Sequence, residues 1–175
     1  MSTAQNTTAV DAVIALGSNL GDRERIIRDA VREIAALDGT VVSAASGLVE
    51  TPALKTDGVD ESAPTYLNAV IIVRTTLSAR ELLAALNGIE RLHGRVRDVR
   101  WGDRTLDLDI ITYGDARIDE SDLVVPHPRA WERAFVLAPW LEIDENAVIP
   151  GRGAVSTLLA DTGESPTSFV AEALT

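Results

Sequence analysis

The sequence contains no cysteine, and it has only two histidines, one methionine and a single lysine, Lys55. The absence of cysteine excludes a disulfide framework and every metal site that is built from thiolates. A chain without cysteine is compatible with a reducing compartment, and we expect a cytoplasmic protein. No apolar run approaches the roughly 20 residues that a membrane-spanning helix needs, so we expect no membrane partner.

The first nine residues lack both the basic start and the apolar stretch of a secretory signal, and we expect them to form a disordered tail. The length of the remainder and its apolar content are sufficient for one domain with a sizeable core. We place that domain at residues 10–162. We expect a C-terminal tail at residues 163–175, where no periodic pattern is readable.

Positive charge is scarce overall but locally concentrated. The net charge of −11 argues against binding long nucleic acid over the whole surface, because the phosphate backbone would be repelled. Five arginines nevertheless crowd into fourteen positions: Arg91, Arg95, Arg97, Arg100 and Arg104. Their planar guanidinium groups match phosphate oxygens, so this cluster favours a small phosphorylated ligand.

The arginine cluster leads directly into a strand pattern at residues 105–111. Alternation places three apolar side chains on one face and, on the other, Thr105, Asp107, Asp109 and Ile111. Leu106, Leu108 and Ile110 form the apolar face, which we expect to be core. The two aspartates are about 6.5 to 7 Å apart between α-carbons, so they repel each other unless a cation neutralises them.

Magnesium is the simplest such cation, since it takes oxygen ligands and completes its shell with substrate phosphates. A carboxylate pair at this spacing is suited to two ions about 3.5 to 4 Å apart, as used in phosphoryl transfer. The alternative is an Asp-x-Asp on the solvated face of an antiparallel strand. The neighbouring arginines favour the metal interpretation.

The order of the predicted elements indicates the fold. The predicted order is strand, helix, strand, loop, strand, helix, strand, with the strands at 10–16, 40–50, 66–73 and 105–111. The helices lie at about 22–37 and 78–93, and a Ser78–Glu81 capping box opens the second. This order favours a single α+β domain with an antiparallel ferredoxin-like sheet and helices packed on one side. A parallel doubly wound sheet is disfavoured because a loop without a helix joins the second and third strands.

Several polar residues have two readings on residue chemistry alone. Tyr66 and Asn68 share a strand face and suit a flat heterocycle, although a pair on the sheet surface is an equal alternative. Glu90 opposes the dipole at the end of its helix, which hints at a ligand, but Arg91 or Arg95 offers a structural explanation. His127 lies between two prolines, which suits a positioned side chain.

Six blocks together resemble the 6-hydroxymethyl-7,8-dihydropterin pyrophosphokinases of folate synthesis. The most specific is Arg100-Trp-Gly-Asp-Arg-Thr-Leu-Asp-Leu-Asp-Ile-Ile111, and the others lie at 15–21, 51–52, 66–68, 94–97 and 125–128. The resemblance runs from about residue 10 to 160. It implies a ferredoxin-like fold and the transfer of pyrophosphate from ATP to the hydroxymethyl group of the pterin, with release of AMP.

The resemblance also implies residue roles. It makes Asp107 and Asp109 the ligands of two Mg²⁺ ions and catalytic groups, together with Arg95 and Arg104, which act on the phosphates. The pterin-binding positions are Thr51, Pro52, Leu54, Tyr66, Asn68 and Phe135, with Tyr66 and Phe135 on either side of the ring. The ATP-binding positions are Glu90, Arg97, Trp101, Arg104, Ile110, His127 and Arg133, with Trp101 on a mobile catalytic loop.

The chain departs from the family pattern in three places. Asp103 stands where proline is frequent, the segment between Arg97 and Trp101 is one residue shorter than in some members, and Pro128 replaces an aromatic. Two other functions remain alternatives: a magnesium-dependent nucleotide hydrolase and a nucleotide-sensing module without chemistry. The partners that we expect are ATP and the pterin, with no nucleic acid, and the expected state is a monomer.

Overall fold

The computed structural model describes residues 8–55, 58–94 and 105–175. Its helices are α1 Arg23–Ala35, α2 Ala79–Leu92, α3 Ala134–Ile143 and α4 Val155–Thr162, with a short 3-10 helix at Ala130–Glu132. Its strands are β1 Val10–Ser18, β2 Thr40–Ala45, β3 Leu48–Thr51, β4 Ala53–Lys55, β5 Gly58–Asp60, β6 Tyr66–Thr75, β7 Asp107–Tyr113, β8 Ile118–Asp119, β9 Val124–Val125, β10 Val148–Ile149, β11 Gly153–Ala154 and β12 Thr167–Phe169.

The main sheet has β1 at its centre, flanked by β6 on one side and β7 on the other. Strand β6 pairs in turn with both β2 and β3, and β12 pairs with the outer side of β3. Neighbouring strands are antiparallel throughout, while α1 and α2 each connect two strands that are separated by a third. This is the ferredoxin-like α+β arrangement, and the predicted fold class is confirmed.

Strand β1 is central because its side chains are apolar toward both faces of the sheet. Ile14 and Leu16 are buried against the layer formed by α1 and α2. Val13 points the other way and is buried with Leu137 and Trp140 of α3. A strand with two apolar faces gains from being covered twice, which explains its place in the centre of the sheet.

The helices therefore cover both faces of the sheet, and the prediction of helices on one side was wrong. Alternation assigned Ile111 to the same face as the two aspartates, and its side chain does lie on that face. It is buried there in the second core, with Val70 and Val136. The short helices after residue 129 form that second layer. Their apolar pattern was too brief to show in the sequence which face they cover.

Hydrogen bonds explain where β2 ends and β3 begins, within the single strand predicted at 40–50. The Ser46 hydroxyl accepts a hydrogen bond from the Val70 amide, and the Ser46 amide donates to the Val70 carbonyl. The next amide, of Gly47, donates to Glu142 of α3 at 2.9 Å. The long loop predicted at 51–64 also contains structure, since β4 and β5 pair as a hairpin.

The start of α2 is as predicted. The Glu81 amide donates to the Ser78 hydroxyl, and the Glu81 carboxylate accepts from the Ser78 amide at 2.8 Å, which completes a capping box. Helix α1 ends at Ala35, two residues before the predicted position. Within the described part of the chain, no helix is long and apolar enough to cross a membrane.

The segment assigned to a C-terminal tail forms part of the folded domain. Its strand β12 pairs with β3, so that Thr167 lies opposite Glu50. Leu174 is buried in the core beside α1, and the Arg28 guanidinium donates hydrogen bonds to the carbonyls of Glu172 and Ala173. A three-residue strand has too little periodicity to be visible in the sequence, so this part of the fold was missed.

Candidate functional site

Two carboxylates lie at the start of β7. Asp107 is opposite Gly17 of β1, and Asp109 is opposite Ala15. Both side chains are partly exposed, whereas Leu106, Leu108 and Ile110 are buried on the other face of the strand. The predicted alternation is thus present. The aspartates occupy the end of the sheet face that is not covered by α3 and α4.

Asp107 and Asn68 lie in one row across the sheet. Asn68 of β6 and Asp107 of β7 are both paired with Gly17 of β1, one on each side. Directly opposed residues of an antiparallel pair point to the same face, and two strand spacings amount to about 9.5 Å. Because Gly17 has no side chain, it leaves open the space between the amide and the carboxylate.

Side-chain contacts hold the amide of Asn68 in this row. Its Nδ2 donates a hydrogen bond to the Thr51 hydroxyl at 2.9 Å, and Thr51 is opposite Tyr66 in the pairing of β3 with β6. A β-carbon at Gly17 would lie 3.1 Å from the Asn68 Oδ1 atom, so the close approach of the amide favours glycine there. Tyr66, Asn68 and Thr51 therefore form one polar group beside the aspartates.

His127 borders the aspartates from the segment after β9. Its Nδ1 atom accepts a hydrogen bond from the Arg129 amide, which leaves the proton of the neutral ring on Nε2, 3.9 Å from the Asp109 Oδ2 atom. Burial, reinforced by the charge of Arg133, lowers the pKa of His127 to about 4. The ring is therefore neutral near pH 7, and its approach to Asp109 is not an ion pair.

Arg133 brings positive charge to the same place. Burial lowers the pKa of its guanidinium, and the negative charge of Asp109 acts in the opposite direction. An arginine remains charged at neutral pH even when its pKa falls, because its ordinary pKa lies far above neutrality. The guanidinium carbon lies 5.7 Å from the centre of the Phe135 ring, so the cation and the aromatic ring are neighbours at the start of α3.

Glu90 reaches the site from the last turn of α2. Its side chain is 1% exposed, and its Oε1 atom accepts a hydrogen bond from the Leu108 amide at 2.8 Å. That amide belongs to the residue between the two aspartates. The sequence placed Glu90 among the ATP contacts. It gave no indication of this bond to the main chain of β7, which joins residues far apart in the sequence.

The remaining candidates are placed less directly. Pro52 is exposed just beyond β3, while the side chain of Leu54 lies outside the described part. The side chain of Ile110 is buried in the core on the α1 side, which leaves only its main chain for a ligand contact. Four candidates lie outside the described residues: Arg95, Arg97, Trp101 and Arg104.

Among the described residues, no group of three or more histidine, cysteine, aspartate or glutamate side chains is arranged to hold a metal ion. Two carboxylates on one strand face nevertheless fit a magnesium ion that shares its coordination with substrate phosphates. The donor set thus suits a metal that arrives with a nucleotide better than a metal held by protein alone.

The fold and these side chains define a class of protein: a ferredoxin-like domain with paired carboxylates and a polar aromatic group at one end of its sheet. The family model for 7,8-dihydro-6-hydroxymethylpterin-pyrophosphokinase (HPPK) matches residues 13–145. The chain belongs to this family. Its enzymes transfer pyrophosphate from ATP to hydroxymethyldihydropterin in folate synthesis, and they use ATP with a divalent metal ion, generally Mg²⁺.

Two curated bacterial relatives illustrate the match. The chain is 44% identical over 132 residues to the 2-amino-4-hydroxy-6-hydroxymethyldihydropteridine pyrophosphokinase of Bacillus subtilis, covering 75% of this chain and 77% of that protein. It is 37% identical over 150 residues to the enzyme of the same name from Haemophilus influenzae, covering 86% and 91%. The similarity therefore extends over most of each protein.

Larger proteins contain the same domain. The chain is 44% identical over 143 residues to a mitochondrial folate synthesis bifunctional protein of Arabidopsis thaliana, covering 81% of this chain and 25% of that protein. A solved structure of Plasmodium falciparum HPPK-DHPS superposes with a TM-score of 0.68 at 14% identity, covering 90% of this chain and 45% of that one. At that identity the likeness shows the fold.

Proposed function

We propose that the end of the sheet face between β3 and β7 binds both substrates of the pyrophosphokinase reaction. The pterin lies against Thr51, Tyr66 and Asn68, and the triphosphate of ATP lies against β7. The observation that supports the proposal is the row of Asn68, Gly17 and Asp107, in which the Asn68 amide and the Asp107 carboxylate share one face of the sheet. The pterin hydroxyl is thereby directed toward the phosphates.

On the pterin side, the Asn68 amide has hydrogen-bonding capacity beyond its bond to Thr51, because an amide offers two donors and an acceptor. Tyr66 supplies one aromatic face for the flat ring, and Phe135 at the start of α3 supplies the other. Pro52 borders the ring at the end of β3, and backbone groups of Thr51 and Leu54 read its edge. Stacking and directional hydrogen bonds together fix the orientation of the ring.

On the nucleotide side, Asp107 and Asp109 would hold two Mg²⁺ ions together with the phosphates. When bound, these ions would neutralise charge on the phosphate oxygens. Arg133 adds a fixed positive charge. The neutral His127 offers its Nε2 hydrogen as a donor, and Glu90 and Ile110 complete the ATP side. Arg95, Arg97, Trp101 and Arg104 keep the roles that the family resemblance implies.

The reaction is an in-line displacement. The hydroxyl oxygen of the pterin forms a bond to the β-phosphorus of ATP. At the same time the bond breaks between that phosphorus and the oxygen that joins it to the α-phosphorus. AMP leaves with the bridging oxygen, and the hydroxyl proton passes to solvent. Phosphoryl transfer of this kind depends mainly on positioning and electrostatic stabilisation, so no strong general base is required.

The reaction can be tested by measuring AMP after incubation with ATP, Mg²⁺ and hydroxymethyldihydropterin. We expect AMP only when the pterin is present. Release of nucleotide products without pterin would indicate a hydrolase, and ATP binding without AMP would indicate a sensing module. The site can be tested with Asn68→Ala, for which we expect the KM for pterin to rise roughly 10-fold, as for one or two lost hydrogen bonds, while the KM for ATP is unchanged.

We also propose that residues 10–162 contain all the catalytic and substrate-binding residues, that residues 163–175 complete the folded domain without contributing to the site, and that the protein is a cytoplasmic monomer. The relatives of similar length support the first point, because the match covers most of each. Light scattering on the purified chain tests the monomer, since a dimer would double the measured mass.

A further inference from the structure

A cluster of three side chains, here called the Arg23 cluster, joins α1 to the ends of β3 and β6. The Arg23 guanidinium donates hydrogen bonds to the Thr65 carbonyl and hydroxyl, both at 2.7 Å, and to the Glu50 carboxylate at 3.2 Å. The Thr65 hydroxyl donates to the same carboxylate. Each member is thus bonded to the two others, so moving one of them disturbs the whole cluster.

Arg23 differs from the other arginines of α1. Helix α1 carries four arginines: Arg23, Arg25, Arg28 and Arg32. In the structure the Arg23 side chain is 23% exposed, whereas that of Arg25 is 78% exposed and pairs with Asp29 on the same helix, at 3.7 Å. Confining a long side chain costs conformational entropy, which the several hydrogen bonds of Arg23 offset.

The cluster acts on the residues next to it in the chain. Glu50 precedes Thr51 in the chain, and Thr65 precedes Tyr66. Thr51 and Tyr66 are opposite each other in the pairing of β3 with β6. Strand β3 has three residue pairs with β6 and three with β12, and its pairing with β12 ends at Glu50, so the strand pairing at Thr51 is that with β6. The Arg23 cluster supplies a further connection at that point.

The cluster lies behind the pterin pocket. Successive side chains of a strand point to opposite faces, so Glu50 faces α1 when Thr51 faces the pocket. Arg23 belongs to α1, which packs on that rear face. Its guanidinium therefore does not contact the pterin from this position, and any effect on binding must pass through the main chain of β3 and β6.

The charge state of the cluster is consistent with a fixed arrangement. The hydrogen bond from Thr65 lowers the pKa of the Glu50 carboxyl, and the hydrogen bond and charge of Arg23 add to this effect. The carboxylate is therefore ionised throughout the neutral range, where it can hold both partners.

We propose that Arg23 is a positioning residue for pterin binding: through Glu50 and Thr65 it fixes the distance between the strand ends that carry Thr51 and Tyr66. The inference rests on the pocket assigned under Proposed function. A salt bridge that serves only stability would make no distinction between the two substrates. A cluster that positions the pocket should weaken pterin binding and leave ATP binding unaffected.

The experiment compares Arg23→Ala with Arg25→Ala, a matched control on the same helix. Binding of hydroxymethyldihydropterin is measured in the presence of a non-hydrolysable ATP analogue, and KM and kcat are measured for both substrates. We expect Arg23→Ala to raise the Kd and KM for pterin about 5- to 10-fold, comparable to the net contribution of one ordinary hydrogen bond. The KM for ATP and kcat at saturating pterin should change less than twofold, and Arg25→Ala should match the wild type.

Two further variants keep the test decisive. Thr65→Val removes the hydroxyl and leaves the carbonyl, so it should produce a smaller change of the same kind, even if Arg23→Ala folds poorly. Asn68→Ala tests the pocket itself. If only Asn68→Ala weakens pterin binding, the positioning role is wrong although the pocket is right. If neither Arg23→Ala nor Asn68→Ala weakens pterin binding, both the positioning role and the pocket are wrong. Equal losses of affinity for pterin and ATP in Arg23→Ala would mean that the Arg23 cluster only stabilises the fold.

Discussion

The two sides of the site are positioned by different means. On the nucleotide side, the aspartates belong to a seven-residue strand that pairs along most of its length with the central strand β1. On the pterin side, the four-residue strand β3 has three residue pairs with each of its neighbours β6 and β12, and the side-chain bonds of Asn68 to Thr51 and of the Arg23 cluster add to this short pairing. Main-chain pairing fixes the first, so its side chains can be changed without moving the strand. The second should move when a supporting side chain is lost.

The largest effect that we expect is on the nucleotide side. Asp109→Ala should lower transfer by more than about 1,000-fold, because it removes a ligand from a site where charge stabilisation supplies most of the catalysis. The fold should persist, since β7 keeps its pairing with β1. Product formation and thermal unfolding measure the two expectations. Asp11→Ala is the matched control, because Asp11 is an exposed strand carboxylate on the same sheet and pairs with Arg74.

Appreciable transfer by Asp109→Ala would contradict the metal assignment. Loss of the folded state would contradict the claim that main-chain pairing alone fixes β7, since it would mean that the Asp109 carboxylate also supports the strand.

Glu90 tests whether the main chain alone positions the aspartates. Glu90→Leu removes the acceptor of the buried Leu108 amide and should lower the free energy of unfolding by about 2 to 3 kcal/mol, the cost of an unsatisfied buried group. Glu90→Gln keeps an oxygen at this position and should retain most of that stability. Chemical denaturation measures both. If the two variants were equally destabilised, the bond to Leu108 would not be the important contact of Glu90.

The sequence predicted those parts of the fold that repeat locally. Strands β1, β6 and β7 and the start of α2 follow from apolar alternation and from the Ser78–Glu81 spacing, which involve neighbours in the chain. Strand β12 and the layer over Ile111 depend on contacts between distant segments. Short elements carry little periodicity of their own, so their partners could not be predicted.

The same division applies to the site. The aspartates on one face of β7 and the pair of Tyr66 and Asn68 on β6 were predictable, because alternation needs only the local sequence. The bond of Glu90 to the Leu108 amide and the Arg23 cluster were not, since each joins segments that are far apart. The sequence showed the residue types but not their partners. The roles of Arg95 and Arg104, which lie outside the described residues, stay predictions.

The C-terminal segment offers a test on the pterin side. Leu174→Ala should lower the free energy of unfolding by about 1.5 to 2 kcal/mol, because Leu174 is only 9% exposed and packs in the core beside α1. Val170→Ala is the matched control, since Val170 is 97% exposed and should change stability by less than about 0.5 kcal/mol. Denaturation curves of both variants decide this. Equal stability of the two would mean that the end of the chain does not contribute to the core.

The smallest effect that we expect lies far from both substrates, at the start of α2. Ser78→Ala should lower the free energy of unfolding by about 1 kcal/mol, as for other lost N-caps, and leave both KM values unchanged. Hydrogen bonds from the Ser78 amide and hydroxyl lower the pKa of Glu81, so its part of the capping box is present above the ordinary glutamate pKa and is lost as the pH falls through the lowered value. The stability difference between variant and wild type should therefore shrink in denaturation experiments at acidic pH. A stability difference that grew on acidification would contradict this linkage. A change in either KM would show that the start of α2 positions the substrates, in addition to the contribution of Glu90 from its last turn.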